Sequence, residues 1–332
     1  MSDEDFRAQR IQHWLVAELG LDIQTFAKAS SDASFRRYFR INTSNKSFIV
    51  MDAPPERENI LPFINVANIL RQAQVNVPEI YRYDVAQGIM LLEDFGNIAV
   101  LDRLTETNAG NLYQDALDSL FKLQTNVAPK TVDLPEYDAA FFERELTIFY
   151  EWFLTSFLHI DIPEPIKKSL NQCLIGSALE QPVTLVHRDY HSRNLMYLTD
   201  DNPGVIDFQD AVIGPITYDL VSLLKDCYIR WPVELVAKWR EGYYWRLKEQ
   251  GLVTCCSSTF LRWFDLMGLQ RHLKAIGIFA RLHLRDGKSG YLNDIPRTLE
   301  YVVEVAENYP ELQVFKLFLH AHILPTYHSN SL

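Results

Sequence analysis

The chain has 332 residues, 48% of them hydrophobic and 23% charged, with a formal net charge of −11. That length suits two lobes better than one small core, and the balance is that of a folded globular protein, not a disordered one. The acidic surplus argues against a surface that coats nucleic acid. No apolar run is long enough to span a bilayer; the richest, residues 147–160, is short and interrupted by Glu151. Cys173, Cys227, Cys255 and Cys256 match no zinc-ligand spacing, and the opening MSDEDFRAQR is too polar for a signal peptide. Reduced thiols in a cytoplasmic protein are expected.

In chain order, Phe6, Ile11, Trp14, Leu15 and Leu19 recur at helical spacing, and Gly20 stands where a C-terminal stop belongs. Strand-like runs follow at 22–26, 35–41 and 46–51, the last two joined by the polar turn Asn42–Asn45. A helix then carries Ile60, Phe63, Ile64, Ala67 and Leu70 on one face, with Pro62 tolerated only near its first turn. Runs at 79–83 and 88–93 read as two more strands. Beyond Glu93-Asp94-Phe95-Gly96-Asn97 the pattern changes. Tyr113, Ala116, Leu117, Leu120 and Phe121 mark a helix, and 141–158 is a long aromatic-rich one. Brief strands are expected at 184–186, 195–198 and 205–206, and from Tyr218 onward nearly everything reads as helix. The expected fold class is therefore α+β. It is a two-lobe, protein-kinase-like arrangement with a small sheet-rich N-lobe over 1–93, a hinge at 93–97 and a large, mainly helical C-lobe over 94–332.

The densest chemistry lies in Leu185-Val186-His187-Arg188-Asp189-Tyr190-His191-Ser192-Arg193-Asn194, followed by Gly204-Val205-Ile206-Asp207-Phe208. Phosphoryl transfer needs one carboxylate to orient or receive the acceptor hydroxyl's proton, and hard oxygen ligands to hold Mg²⁺ against nucleotide phosphates. Asp189 suits the first role; Asn194 and Asp207 suit the second. His187 is expected to be buried and structural, bonding backbone near Asp207. Asp219 is expected to cap the helix it opens and to brace the catalytic loop.

These motifs resemble the aminoglycoside-phosphotransferase/choline-kinase superfamily, whose signature is H-x-D-x-x-x-x-N followed by a strand ending in Asp. More narrowly, residues 32–40, 50–55, 91–96, 205–211 and 268–274 resemble the bacterial anomeric N-acetylmuramate/N-acetylglucosamine kinases. The resemblance covers most of the chain. It implies ATP and Mg²⁺ as cofactors, and a phosphoryl transfer to the anomeric hydroxyl of an N-acetylated amino sugar that yields a sugar 1-phosphate, as in peptidoglycan recycling. It also places Ser31, Asp32, Ala33 and Ser34 over the ATP phosphates, in a loop without glycine. Glu93 and Phe95 would offer backbone groups to adenine.

Kinases usually carry a lysine on the third strand to pair with the nucleotide phosphates. Here Phe48-Ile49-Val50-Met51-Asp52 has none, and Lys46 falls at the turn. Arg36, next to the phosphate loop and near Arg37 and Arg40, is expected to substitute. His191, Arg193, Gln209 and Asp210 flank the reaction centre, and Glu145 and Arg271 lie on helices beyond it; all six are candidate sugar contacts. An arginine would suit the lactyl carboxylate of muramate. Alternative readings are a kinase of an aminoglycoside, choline or amino alcohol, or a silent nucleotide-binding module. Neither nucleic acid nor membrane is an expected partner, and oligomeric state is not specified by the sequence.

Overall fold

The computed structural model describes residues 3–31 and 35–330. Helix α1 (Asp3–His13) continues through a wider, π-type turn, Trp14–Glu18. It buries Ile11, Trp14 and Leu15 and leaves Phe6 exposed. Gly20 then takes the left-handed conformation (φ +67°) that ends the helix. Five antiparallel strands follow: β1 (Thr25–Ser31), β2 (Arg37–Asn42), β3 (Ser47–Asp52), β4 (Ile80–Asp84) and β5 (Ile89–Glu93), in the order β1-β2-β3-β5-β4. Alternation puts Phe39, Ile41, Phe48, Val50, Ile89 and Leu91 into one core with Ile11, Trp14 and Leu15. Helix α2 (Leu61–Gln72) accepts Pro62 in its first turn and buries Phe63, Val66, Ala67 and Leu70, spaced i, i+3, i+4, i+7. The short α3 is Val100–Arg103.

Asp52, fully buried at the end of β3, is the polar anchor of this sheet. One carboxylate oxygen accepts from Arg7 of α1, at 2.9 Å from Nε and 2.5 Å from a terminal nitrogen. The other accepts from Arg37 of β2. The Arg7 guanidinium thus fixes α1 against the sheet, and that of Arg37 ties β2 to the same carboxylate.

Four short strands come later: β6 (Val183–Val186), β7 (Leu195–Met196), β8 (Gly204–Val205) and β9 (Val212–Pro215). Pairs β7–β8 and β6–β9 are both antiparallel. Contacts divide the chain into two units, Met1–Arg103 with Leu195–Asp210, and Leu104–Asn194 with Ala211–Leu332. The expected boundary at 93–97 thus differs from the observed one in two ways: the division falls later, and the β7–β8 hairpin returns to the first unit. Local bonds explain the return. Met196 bridges Ala99, the Tyr197 N–H donates to the Ile98 carbonyl at 2.8 Å, and the Val205 N–H donates to the Asn76 carbonyl at 2.7 Å.

The second unit is mainly helical, with α4 (Ala109–Asn126), α5 (Ala139–Ile148, extended as a π-type helix to Leu158), α6 (Glu164–Leu179), α7 (Tyr218–Leu224), α8 (Val233–Glu249), α9 (Ser257–Asp286), α10 (Ile295–Asn308), α11 (Gln313–Phe318) and α12 (Leu324–Asn330). Its core gathers Leu146, Phe149 and Phe153 with Leu174, Leu269, Leu273, Ile276 and Val302. Gly277 lets α9 lie directly on α5, since a Cβ there would sit 2.6 Å from the Ile148 carbonyl oxygen. The sheet-rich first unit and helical second unit fit the α+β expectation. Among the described residues no helix is long and apolar enough to cross a membrane.

Candidate active site

In the second unit, β6 runs into the loop that carries Asp189. Arg188, just before it, adopts a left-handed backbone (φ +78°), which is costly for a residue with a side chain. Its surroundings hold it there. Asp219, in the first turn of α7, accepts from the His187 N–H at 2.6 Å and the Arg188 N–H at 3.0 Å. Arg271 of α9 donates to the Arg188 carbonyl at 3.2 Å. Asp219 therefore braces the loop, but it is not the helix cap; that position is Thr217, which makes no side-chain cap bond. The carboxylate is engaged by the loop amides instead.

Further along, the Asn194 side-chain nitrogen donates to the Asp189 carbonyl at 3.0 Å, which fixes the amide's orientation. His187 is buried, and its Nδ1 accepts from the Asp189 N–H at 3.3 Å, within the loop itself. Asp226 holds Ser192 through both the N–H (3.0 Å) and the hydroxyl (2.5 Å). Tyr190, fully buried, ties the loop to α4 through the Ala116 carbonyl at 2.8 Å.

The electrostatics of Asp189 follow from its neighbours. Burial works to raise its pKa, yet the carboxyl is held well below the ordinary range by Lys274, with Arg271 and Arg188 adding to the effect. His191 is itself pushed down by burial, so at neutral pH the positive field is that of the lysine and two arginines. Asp219 behaves oppositely: burial lifts it to about 7, against the amides and Arg271 that favour its charge.

Glu145, expected as a sugar contact, is enclosed instead. It is 3% exposed and accepts from Tyr137, from Arg188 at 3.0 Å, from Gln270 at 3.0 Å and from Lys274 at 2.9 Å. Its lone pairs are taken up by buried donors, so it orients cations and does not face a ligand. Arg193 is exposed and lies flat on Tyr228, 3.6 Å from the ring centre. His191 meets the edge of the same ring, and its buried Nδ1 has no hydrogen-bond partner. The Nε of Arg271 is likewise buried and without one.

In the first unit, Asp207 also has a left-handed backbone (φ +64°) and accepts from Gln209 at 2.9 Å; the same amide reaches Asp210 at 3.1 Å. Phe208 is fully buried against Phe63 of α2, with ring centres 4.6 Å apart. Of the three arginines after the phosphate loop, Arg37 is bound to Asp52. Arg40 chelates Asp94 at 2.7 and 2.8 Å and also reaches Gly96 and Asn97. Arg36 pairs with Glu58 at 3.6 Å and lies in the field of Asp207. Lys46 sits over the Phe48 and Tyr81 rings. The Glu93 N–H, expected to serve adenine, donates to the Glu79 carbonyl at 2.9 Å because β5 pairs β4 there. The Glu93 N–H is thus engaged within the sheet. The Phe95 ring packs where a Cβ on Gly204 would be, 2.5 Å away. Ser31 ends β1, opposite Arg37, while Asp32, Ala33 and Ser34 lie outside the described residues.

Sequence reasoning missed Lys274, Asp226 and the Arg40–Asp94 pair. One signal was present: Gln270 and Lys274 are polar residues four apart, next to Leu266, Leu269, Leu273 and Ile276, which mark the apolar face of the same helix.

Residues 25–251 match the phosphotransferase enzyme family. The chain is 44% identical over 326 residues to an N-acetylmuramate/N-acetylglucosamine kinase of Pseudomonas putida, covering 94% of this chain and 95% of that one. It is 42% identical over 318 residues to a protein of the same description from Neisseria meningitidis, covering 92% and 93%. The fold is similar to that of a choline kinase from Streptococcus pneumoniae, with a TM-score of 0.63 at 14% identity over 89% of this chain and 99% of that one.

Proposed function

The chain belongs to the phosphotransferase enzyme family and is an ATP-dependent small-molecule kinase, and from that premise we propose that it phosphorylates the anomeric hydroxyl of N-acetylmuramate or N-acetylglucosamine. The observation that carries this reading is the similarity to N-acetylmuramate/N-acetylglucosamine kinases along almost the whole chain. The product is the sugar 1-phosphate, and the setting is peptidoglycan recycling in the cytoplasm.

The residues support a division of labour. Asp189 orients the sugar hydroxyl. The hydroxyl oxygen bonds to the γ-phosphorus as the bond to the β–γ bridging oxygen breaks and ADP leaves; the proton passes late to the Asp189 carboxylate and then to water. Lys274, Arg271 and Arg188 depress that carboxylate, so it is a weak base. Much of its contribution is then orientation, and an anomeric hydroxyl, more acidic than an ordinary alcohol, asks less of such a base than another hydroxyl would. Asn194 and Asp207 offer an amide oxygen and a carboxylate, the hard donors Mg²⁺ takes. Two protein ligands would be enough, because Mg²⁺ commonly takes its remaining donors from water and phosphate; among the described residues no group of three His, Cys, Asp or Glu side chains placed to hold a metal occurs. When bound, the ion neutralises charge on the nucleotide phosphates.

Arg36 stands in for the missing strand lysine, with Glu58 as its acidic partner. Ser31 to Ser34 cover the phosphates, while the Glu93 carbonyl and the Phe95 N–H address adenine. His191, Arg193, Gln209, Asp210 and Arg271 address the sugar. A cationic acceptor such as an aminoglycoside or choline is disfavoured by Arg188, Arg271 and Lys274 clustered about Asp189.

Incubation with ATP, Mg²⁺ and each sugar, with the phosphate located by phosphorus NMR, tests the reading. A 1-phosphate is expected. A 6-phosphate, or turnover of aminoglycosides with none of either sugar, would overturn the substrate assignment and leave the kinase standing. Nucleotide binding without turnover of any acceptor would favour the silent module.

A further inference from the structure

The buried charges behind the catalytic loop exceed what packing requires. Lys274 and Glu145 have side chains 9% and 4% exposed and are paired at 2.9 Å. The Lys274 ammonium also donates to the Tyr218 hydroxyl at 3.2 Å. Apolar residues of similar volume would serve stability as well or better than a buried ion pair. The position of this pair is informative. The Glu145 oxygen that meets Lys274 also holds the Arg188 guanidinium at 3.0 Å, while the other oxygen accepts from Tyr137 and Gln270; Arg188's N–H and carbonyl are held by Asp219 and Arg271. Arg188 is the left-handed residue whose peptide leads into Asp189. A strained backbone persists only where its surroundings over-determine it, and Glu145 supplies the side-chain restraint.

We propose that Glu145 and Lys274 form a positioning device for Asp189: Glu145 clamps Arg188 in its left-handed conformation, and Lys274 keeps Glu145 charged in its buried site. Neither touches substrate. The loop, α5 and α9 are thereby locked in one register, and Asp189 presents one orientation to the acceptor. The groups facing Asp189 are Arg188 and His191 from the loop, Asp219 from α7, and Arg271 and Lys274 from α9. This rests on Asp189 acting as proposed above, but not on the identity of the sugar.

The test compares Lys274→Met, Glu145→Gln, the double variant and Lys274→Arg. Single neutralisations are expected to lower kcat about 100-fold, the scale of a small misplacement at a reacting centre, with the KM for ATP little changed. In the double variant the buried ammonium and carboxylate are removed together and only the less buried Arg188 guanidinium loses its carboxylate, so its melting temperature recovers part of the way toward wild type while kcat stays low. Lys274→Arg restores much of kcat. A double variant with wild-type kcat, or a Lys274→Met variant with unchanged kcat, would overturn the proposal. If Lys274→Met does not fold, Glu145→Gln and Lys274→Arg decide it by the same split. Slow phosphoryl transfer to water is followed beside sugar turnover. A wild-type protein inert toward both sugars would overturn the substrate assignment, while the variants are still ranked by their hydrolysis of ATP.

Discussion

Among single residues, Asp189 and Asp207 stand out in the sequence as candidates, because kinase chemistry needs a carboxylate and an oxygen ligand at fixed places in strand–loop–strand segments. Asp189→Asn is expected to lower kcat by about 10²–10⁴-fold, and Asp207→Ala comparably, with far-ultraviolet circular dichroism unchanged. Their combined effect should fall short of the product of the two if both serve one transition state. Arg36 was singled out by position, and the ion pair with Glu58 adds to that case. Arg36→Ala is expected to weaken ATP binding by about 1.5–3 kcal/mol, the scale of a charged hydrogen bond; Glu58→Gln should weaken it less. Calorimetry with a non-hydrolysable analogue measures both, and unchanged affinity in Arg36→Ala would remove the substitution for lysine. Lys274 and Glu145 were harder to read. Their function depends on which buried atoms meet across α5 and α9, and no spacing within either helix encodes that meeting.

For elements, the strands of the first unit were legible because alternation with polar turns is a short-range signal. Strand β9 was not, since Val212–Pro215 looks like a loop and becomes a strand only by pairing with β6 across a long stretch of chain. The register of α1 was legible from its apolar face, but its anchoring on Asp52 was not. Arg7 and Arg37 read as ordinary surface charges until the carboxylate between them is seen to be buried. Asp52→Ala leaves two cations without their partner. It is expected to cost about 3–5 kcal/mol, as for a broken buried ion pair, measured by urea denaturation; a loss below 1 kcal/mol would show that water replaces the carboxylate. Gly277→Ala is expected to cost about 1–3 kcal/mol by overpacking, and to lower kcat as well, because it pushes α9 and its Lys274 away from α5 and Glu145.

At the scale of the whole molecule, buried acids impose opposite pH limits. Glu145 is pulled below the ordinary range: burial alone would raise it, and Lys274 and Arg188 outweigh that. Its stabilisation is present above its unfolded value of 4.5 and is lost as pH falls. Asp219 is raised from 3.8 to about 7, so its stabilisation is present at low pH and lost as pH rises through that window. The melting temperature is therefore expected to be highest near about pH 5 and to decline on both sides. In Asp219→Asn the decline toward neutral pH should flatten; a decline as steep as in wild type would assign it to another group.

The return of residues 195–210 to the first unit also bears on how the protein is made. A ribosome delivers the five-stranded sheet early, but the β7–β8 hairpin that completes that unit emerges only after residues 104–194. The N-terminal segment therefore waits, incomplete, through about 90 further additions, several seconds at ordinary synthesis rates. During that interval Asn76 and Ile98 lack the partners they later hold in Val205 and Tyr197. No single cut in the chain yields both units whole. A nascent chain released after residue 103 should be more easily digested by protease than one released after residue 210, and synonymous codons that slow translation between those points would lengthen the vulnerable period.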